Sequence, residues 1–168
     1  MADWAITDLV EHPEWLDPIV EWQYAEWLRL SDAAALSQSQ LAKALHERQL
    51  HMQTRLTRDP LPKTFVAHSG DQPVGSVSLV RFSTDPDAKL WLTNLYVKPS
   101  WRYKGIGSAL LAQGEIAARG LEVKDLWLYS HDSADYYLKF GWRWEKTAEL
   151  RGCRVEVLHK QLLRSGPF

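Results

Sequence analysis

The stretch Leu90 to Leu111, LWLTNLYVKPSWRYKGIGSALL, constrains the chain more than any other: it reads as a strand that passes through a sharp bend into a helix. From Leu90 to Val97 apolar residues occupy both faces, and only Thr93 and Asn94 break the run, as expected of a central strand covered on both sides. Pro99 has no N–H for a sheet ladder and Ser100 suits a turning backbone, so the strand ends there. Ile106, Ala109, Leu110, Ile116 and Ala117 then recur at helical spacing, which starts a helix within Tyr103 to Gly107.

The composition of that helix start is chemical as well as structural. Arg102, Tyr103, Lys104, Gly105, Ile106, Gly107 and Ser108 combine two glycines, two cations and a first helical turn. Glycine lets a ligand approach the backbone, and the free N–H groups of a first turn favour an anion. A phosphate cradle follows. It is not a Walker A loop, because the final lysine and Ser/Thr are missing, nor a dinucleotide fingerprint, because Leu110 stands where a third glycine belongs.

The rest of the chain supplies elements around this unit. Trp4 to Leu9 reads as a first strand, and Leu16, Ile19, Val20, Tyr24, Trp27 and Leu28 mark one helix face. Pro13 or Pro18 suits that helix's first turn, with Asp17 a cap for the later start. Trp15 and Trp22 border the face and are expected in the core. Ser37-x-x-Gln40 is a capping box opening a second helix to about Leu50. Thr64 to His68 and Val74 to Phe82 read as a hairpin, and Ser83 to Lys89 as a loop. Gly120 is expected to stop the helix after the central strand. Asp125 to Tyr129 is a fifth strand, Ala134 to Phe140 a short helix ended by Gly141, and Trp142 to Leu150 and Cys153 to Leu158 two final strands.

Composition limits the classes open to such a chain. Its 168 residues, 45% hydrophobic and 24% charged, suit one compact domain spanning the whole chain. Nine tryptophans imply a large aromatic core or an aromatic-lined pocket. No segment approaches the ~20 apolar residues of a membrane span, and the N-terminus lacks a signal-peptide pattern, so a cytoplasmic protein without a membrane partner is expected. The single cysteine, Cys153, excludes an internal disulfide and reads as a small buried hydrophobe. Metal ligation is not expected, since no His, Cys, Asp or Glu cluster has ligand spacing. Nor is nucleic-acid binding, because Lys and Arg nowhere cluster densely.

Charge is unevenly spread. Residues 1–36 hold eight acids against one base, a formal −7, while the remainder carries +6. That asymmetry suits an anionic ligand on one side and a cationic one on the other, with Glu21, Glu26 and Asp32 available to meet the cation.

Arg102-x-x-Gly105-x-Gly107 after an apolar strand resembles the acetyl-CoA signature, Gln/Arg-x-x-Gly-x-Gly/Ala, of the GNAT superfamily of N-acetyltransferases. Ala134-Asp-Tyr-Tyr-Leu-Lys-Phe-Gly-Trp142 resembles that family's Ala-x-x-Tyr-x-x-x-Gly-Phe segment, with Trp142 replacing the usual Phe. The order of elements agrees over nearly the whole chain, although the specific residues lie in its second half.

The resemblance implies an α/β (α+β) fold: a mixed, mostly antiparallel sheet of about seven strands flanked by about four helices. It implies acetyl-CoA as cosubstrate, its pyrophosphate held by residues 102–108. It implies a bulged central strand that parts from the fifth, so that Leu95, Tyr96 and Val97 offer main-chain groups to pantetheine and to the acetyl carbonyl. It makes Tyr137 the acid that protonates the departing thiolate, by direct attack of a primary amine. Tyr136 falls elsewhere on the short helix and reads as structural.

Many relatives carry a glutamate base on the central strand or its neighbour, where this chain has Thr93 and Asn94. His131, just past the fifth strand, is the leading substitute, because histidine is the side chain that titrates near neutrality. The expected acceptor is a cationic amine, and a homodimer is compatible with the reading. Two competing readings are an acyl-CoA sensor without turnover and an interaction domain built on the tryptophan-rich N-terminal helices.

Overall fold

In a computed structural model, which describes residues 3–85 and 87–162, seven strands form one sheet in the order β1-β2-β3-β4-β5-β7-β6. The strands are β1 (Ala5–Asp8), β2 (Lys63–Ser69), β3 (Gln72–Val80), β4 (Leu90–Val97), β5 (Asp125–Ser130), β6 (Arg143–Leu150) and β7 (Cys153–Gln161). The helices are α1 (Leu16–Leu30), α2 (Gln38–Gln53), α3 (Ile106–Gly120) and α4 (Ala134–Leu138). Every neighbouring pair is antiparallel except β4 and β5. Two parallel neighbours need a crossover, and α3 is that crossover. The expected mixed, mostly antiparallel sheet with its helices is present.

The parallel pair is short. β4 and β5 are in register only at Leu90 with Leu126 and Trp91 with Trp127, after which they part. On its other edge β4 carries a bulge: Tyr96 pairs with Ser76 but Thr93 with Ser78, so three steps on β4 match two on β3. Asn94 absorbs the extra residue with φ +55°, a left-handed conformation that asparagine tolerates better than most side chains. The bulge bends the strand away from its parallel neighbour where the pairing ends.

The two faces of the sheet bury different clusters. Gly75 faces α3: a Cβ there would lie 2.8 Å from the Tyr96 carbonyl oxygen and 3.2 Å from Leu110 Cδ1. Ile106, Leu110, Leu111 and Ala118 of α3 pack with Val77, Leu79, Leu92, Leu126 and Leu128 on this side. On the other face Leu9, Trp15, Ile19, Val20, Trp22 and Met52 close over Val66. Trp15 and Trp22 are therefore core residues, 3% and 7% exposed. Trp15 also donates from Nε1 to the Asp71 carbonyl at 3.1 Å.

Several local expectations are corrected. Asp17 does not cap α1, which begins at Leu16 after a single tight turn over Pro13–Trp15. Ile116 is 59% exposed, because α3 turns Gly114 to the sheet, where Leu92 fills the space its missing side chain leaves. Gly120 is the last helical residue and does not itself terminate α3; Glu122 takes the left-handed conformation, φ +60°. β3 ends at Val80, leaving Phe82 67% exposed. Cys153 is only half-buried, with Sγ 3.7 Å from the Leu30 carbonyl. The Ser37 capping box is present, with Gln40 N to Ser37 Oγ at 3.2 Å and Ser37 N to Gln40 Oε1 at 2.8 Å. In the loop before β4, Pro86 lies outside the described residues.

Because the atom facing position 75 belongs to backbone, Gly75→Ala must push β4 outward at the bulge. A loss of about 1–3 kcal/mol is expected, read as a lowered midpoint in urea denaturation.

Candidate functional site

The bend after β4 leaves a run of backbone amides without partners. Trp101 N donates to the Lys98 carbonyl at 2.8 Å and Arg102 N to the Pro99 carbonyl at 3.3 Å, closing a tight turn. Beyond it, among the described residues, no backbone carbonyl accepts from the amides of residues 103–108. Gly105 caps α3 with φ +84°, and Ser108 Oγ donates to its carbonyl at 3.1 Å. The amides of Ile106, Gly107 and Ser108 belong to the first turn of α3, where helix geometry leaves N–H groups without intrahelical partners. Arg102, Tyr103, Lys104 and Gly105 are exposed. Gly105 is thus open to solvent and Gly107 partly so, and among the described residues the amides of this segment have no backbone acceptor.

The flanking side chains are held in different ways. Arg102 folds back on β4, its Nε donating to the Val97 carbonyl at 2.8 Å and its guanidinium 5.5 Å from the Tyr96 ring. The Val97 oxygen is therefore already engaged by Arg102, a partner the sequence did not suggest. Lys104 Nζ lies 5.6 Å from the Trp101 ring. Tyr103 is fully exposed at φ +64°, a conformation that costs a bulky residue ~1–3 kcal/mol and is retained mainly at functional sites.

Tyr136 and Tyr137 sit beside this loop. Tyr137 is 9% exposed and packs edge-on to Tyr136 and Trp142, with ring centroids 5.4 Å and 6.2 Å away. Burial, then the neighbouring Tyr136 and Asp132, push its phenol far above the usual tyrosine range, so it stays protonated through neutral pH. Tyr136, read as purely structural, instead places its hydroxyl over the helix start: a Cβ at Gly107 would lie 2.9 Å from it. Burial raises its phenol too.

His131 stands edge-on to Tyr129, with ring centroids 6.1 Å apart, on the exit from β5. The acidic residues expected to meet a cation are elsewhere. Glu26 binds Arg29 at 2.5 Å, which in turn reaches Asp132 at 3.2 Å, and Glu21 and Asp32 are exposed.

On the α1 and α2 face, where β4 and β5 separate, lies a cavity of about 170 Å³. Thr93, Asn94 and Tyr129 form its floor, and Gln23, Arg48 and Arg55 come from the helical side. Arg151, from the β6–β7 turn, closes it. None of Glu21, Glu26 or Asp32 lines it. Sequence reading missed Gln23, Arg48, Arg55 and Arg151. The one available signal was Gln23, a polar residue on the stripe that Ile19 and Trp27 also occupy.

Fold and site together define an acyltransferase built on a split sheet, with a glycine turn of unpaired amides at the start of α3. A sequence profile described as "Acetyltransferase (GNAT) domain" matches residues 60–144, just over half the chain, and the protein belongs to that family of acetyltransferases. No curated protein matches the sequence significantly. Solved structures are similar in fold over nearly the whole chain. PaiA N-acetyltransferase from Thermoplasma acidophilum, in complex with coenzyme A, is 21% identical, with 96% of this chain and 99% of that one covered at a TM-score of 0.70. A GCN5-related N-acetyltransferase from Ralstonia eutropha JMP134 is 22% identical, covering 88% and 95% at 0.68. A GNAT-family acetyltransferase from Streptococcus pneumoniae is 16% identical, covering 95% and 99% at 0.69. Among the described residues no group of His, Cys, Asp or Glu is placed to hold a metal ion, and no helix is long and apolar enough to cross a membrane.

The contact at Gly107 yields a double-mutant test. Alanine at 107 should be more favourable by about 1 kcal/mol when Tyr136→Phe has removed the opposing hydroxyl than in the wild-type background, because the clash is then relieved. Denaturant midpoints of the four proteins measure the coupling.

Proposed function

We propose that the protein transfers an acetyl group from acetyl-CoA to a primary amine by direct attack. The observation that carries this reading is the run of unpaired amides from Tyr103 to Ser108, placed beside a gap between β4 and β5. The amides and Lys104 hold the pyrophosphate, with the helix start supplying positive potential. Pantetheine lies in the gap along Leu95, Tyr96 and Val97, where β4 has lost its parallel neighbour. The Val97 carbonyl already accepts from Arg102, so Arg102 also fixes the strand end against which the cofactor lies.

The amine nitrogen attacks the thioester carbon, and a β4 amide near the bulge stabilises the developing oxyanion. As the C–S bond breaks, Tyr137 Oη gives its proton to sulfur, and the proton lost by nitrogen passes to His131. Tyr137 suits this role because burial keeps its phenol protonated at neutral pH, so the proton is in place to be shared with sulfur as charge develops there.

Coenzyme A should raise the melting temperature, because it binds only the native state. Tyr137→Phe is expected to lower kcat on the order of 10²-fold while that thermal shift is retained. His131→Asn should slow turnover while the coenzyme A thermal shift is retained. Thiol release measured with a panel of amines checks both. Binding of coenzyme A with no thiol release, and no effect of Tyr137→Phe, would establish a sensor in place of an enzyme.

A further inference from the structure

The cavity above the gap is electrostatically incomplete. Arg48, Arg55 and Arg151 contribute three guanidiniums, and among the described residues Glu47 is the one carboxylate lining it, 3.8 Å from Lys43 on the exposed side of α2. No described acid forms an ion pair with any of the three arginines. Arg48 has one partner, the neutral Gln23 Oε1 at 3.3 Å. Burial, reinforced by neighbouring Arg48, pushes the Arg55 guanidinium down to about 10, so it remains charged at neutral pH but is poorly solvated. Burial likewise lowers Arg48, with Arg151 adding repulsion.

Orphaned polar atoms converge on the same place. Arg55 Nε, Gln23 Nε2 and Thr93 Oγ1 are all buried without a hydrogen-bond partner. Gln23 and Thr93 are 5% and 9% exposed, so their polar ends are removed from bulk water. Buried charges are ordinarily paired, and buried donors ordinarily satisfied. Here guanidinium, amide and hydroxyl donors surround one opening, and among the described residues none of the three arginines is ion-paired. Guanidinium donors match a carboxylate in a two-pronged geometry, and a carboxylate placed there would also relieve the repulsion between the arginines.

Position connects this to the chemistry. Thr93 and Asn94 form both the cavity floor and the bulge from which β4 leaves β5. A molecule in the cavity therefore approaches the gap from the face opposite α3. Phe82 and Tyr129 supply an apolar wall for the remainder of a small molecule. We infer that the acceptor is a small amine that also carries a carboxylate, held by Arg48, Arg55 and Arg151, with its nitrogen directed at the gap between β4 and β5. This rests on the acetyl-transfer reading above, and it replaces the cationic acceptor expected from the acidic N-terminal segment.

The test compares amino acids with their decarboxylated amines, and both with spermidine, by thiol release from acetyl-CoA. The carboxylate-bearing member of each matched pair should have a kcat/KM at least tenfold higher. Equal or better turnover of the carboxylate-free amine, or of spermidine, overturns the inference while leaving acetyl transfer intact. Calorimetric titration of the same pairs, with and without coenzyme A, reads the cavity independently of turnover. A chain that binds amino acids but releases no thiol loses the transferase reading and keeps the anion site; no preference for the carboxylate removes the site.

Arg55→Gln should raise KM for the preferred amino acid about tenfold without lowering the melting temperature of the free protein, since it deletes an unpaired, partly buried charge. A fallen melting temperature with unchanged KM would make Arg55 structural and overturn its assignment. Arg151→Gln, at an exposed position in the turn, gives the same KM readout should Arg55→Gln fail to fold.

Discussion

The parting of β4 from β5 is the constraint on which the rest of the molecule depends. A parallel pair inside an otherwise antiparallel sheet is joined by a helix, and here the pairing lasts only from Leu90 to Trp91. The extra residue at Asn94 then bends β4, and Gly75 opposite the Tyr96 carbonyl lets the adjacent strand stay close at that bend. A strand with one edge unpaired offers main-chain groups to any extended ligand that enters beside it. Everything assigned to the site lies around this one opening.

The opening has two sides with different chemistry. On the α3 side the donors are backbone amides, fixed by Gly105 and by the start of a helix, and they suit a diphosphate. On the α1 and α2 side the donors are side chains from distant segments, Arg48 and Arg55 near the end of α2 and Arg151 from the last hairpin. Both sides are cationic, although residues 1–36 are strongly acidic. Much of that acidity is consumed at the surface and in ion pairs. Glu11 binds Arg58 at 2.8 Å, Asp8 binds Lys63 at 2.7 Å, and Glu26 binds Arg29.

Stability and function are in tension at this opening. Tyr103 holds a left-handed conformation, and Arg55 Nε, Gln23 Nε2 and Thr93 Oγ1 are buried without partners, each an expense to the free protein. Packing on both faces of the sheet offsets this, and Glu115 and Lys160 form an ion pair nearby in the chain's second half. That pair joins α3 to β7, while Lys160 also donates to the Phe140 carbonyl at 2.7 Å behind α4. The last strand thereby braces the short helix that carries Tyr137.

The sequence by itself determined the elements and the glycine turn that opens α3. Both are local: the apolar run of β4, Pro99, the two glycines and the helical spacing after them act over a few residues, where propensity and backbone freedom decide. The tyrosine-bearing helix was legible for the same reason, through its spacing from Gly141. Only the tertiary structure decided what surrounds the gap. Arg48, Arg55 and Arg151 are unremarkable in the chain, and their convergence is set by packing α2 and the β6–β7 turn against the α1 and α2 face of the sheet. Which charges remain free at a site is likewise set by pairing in three dimensions and not by the net charge of a sequence segment.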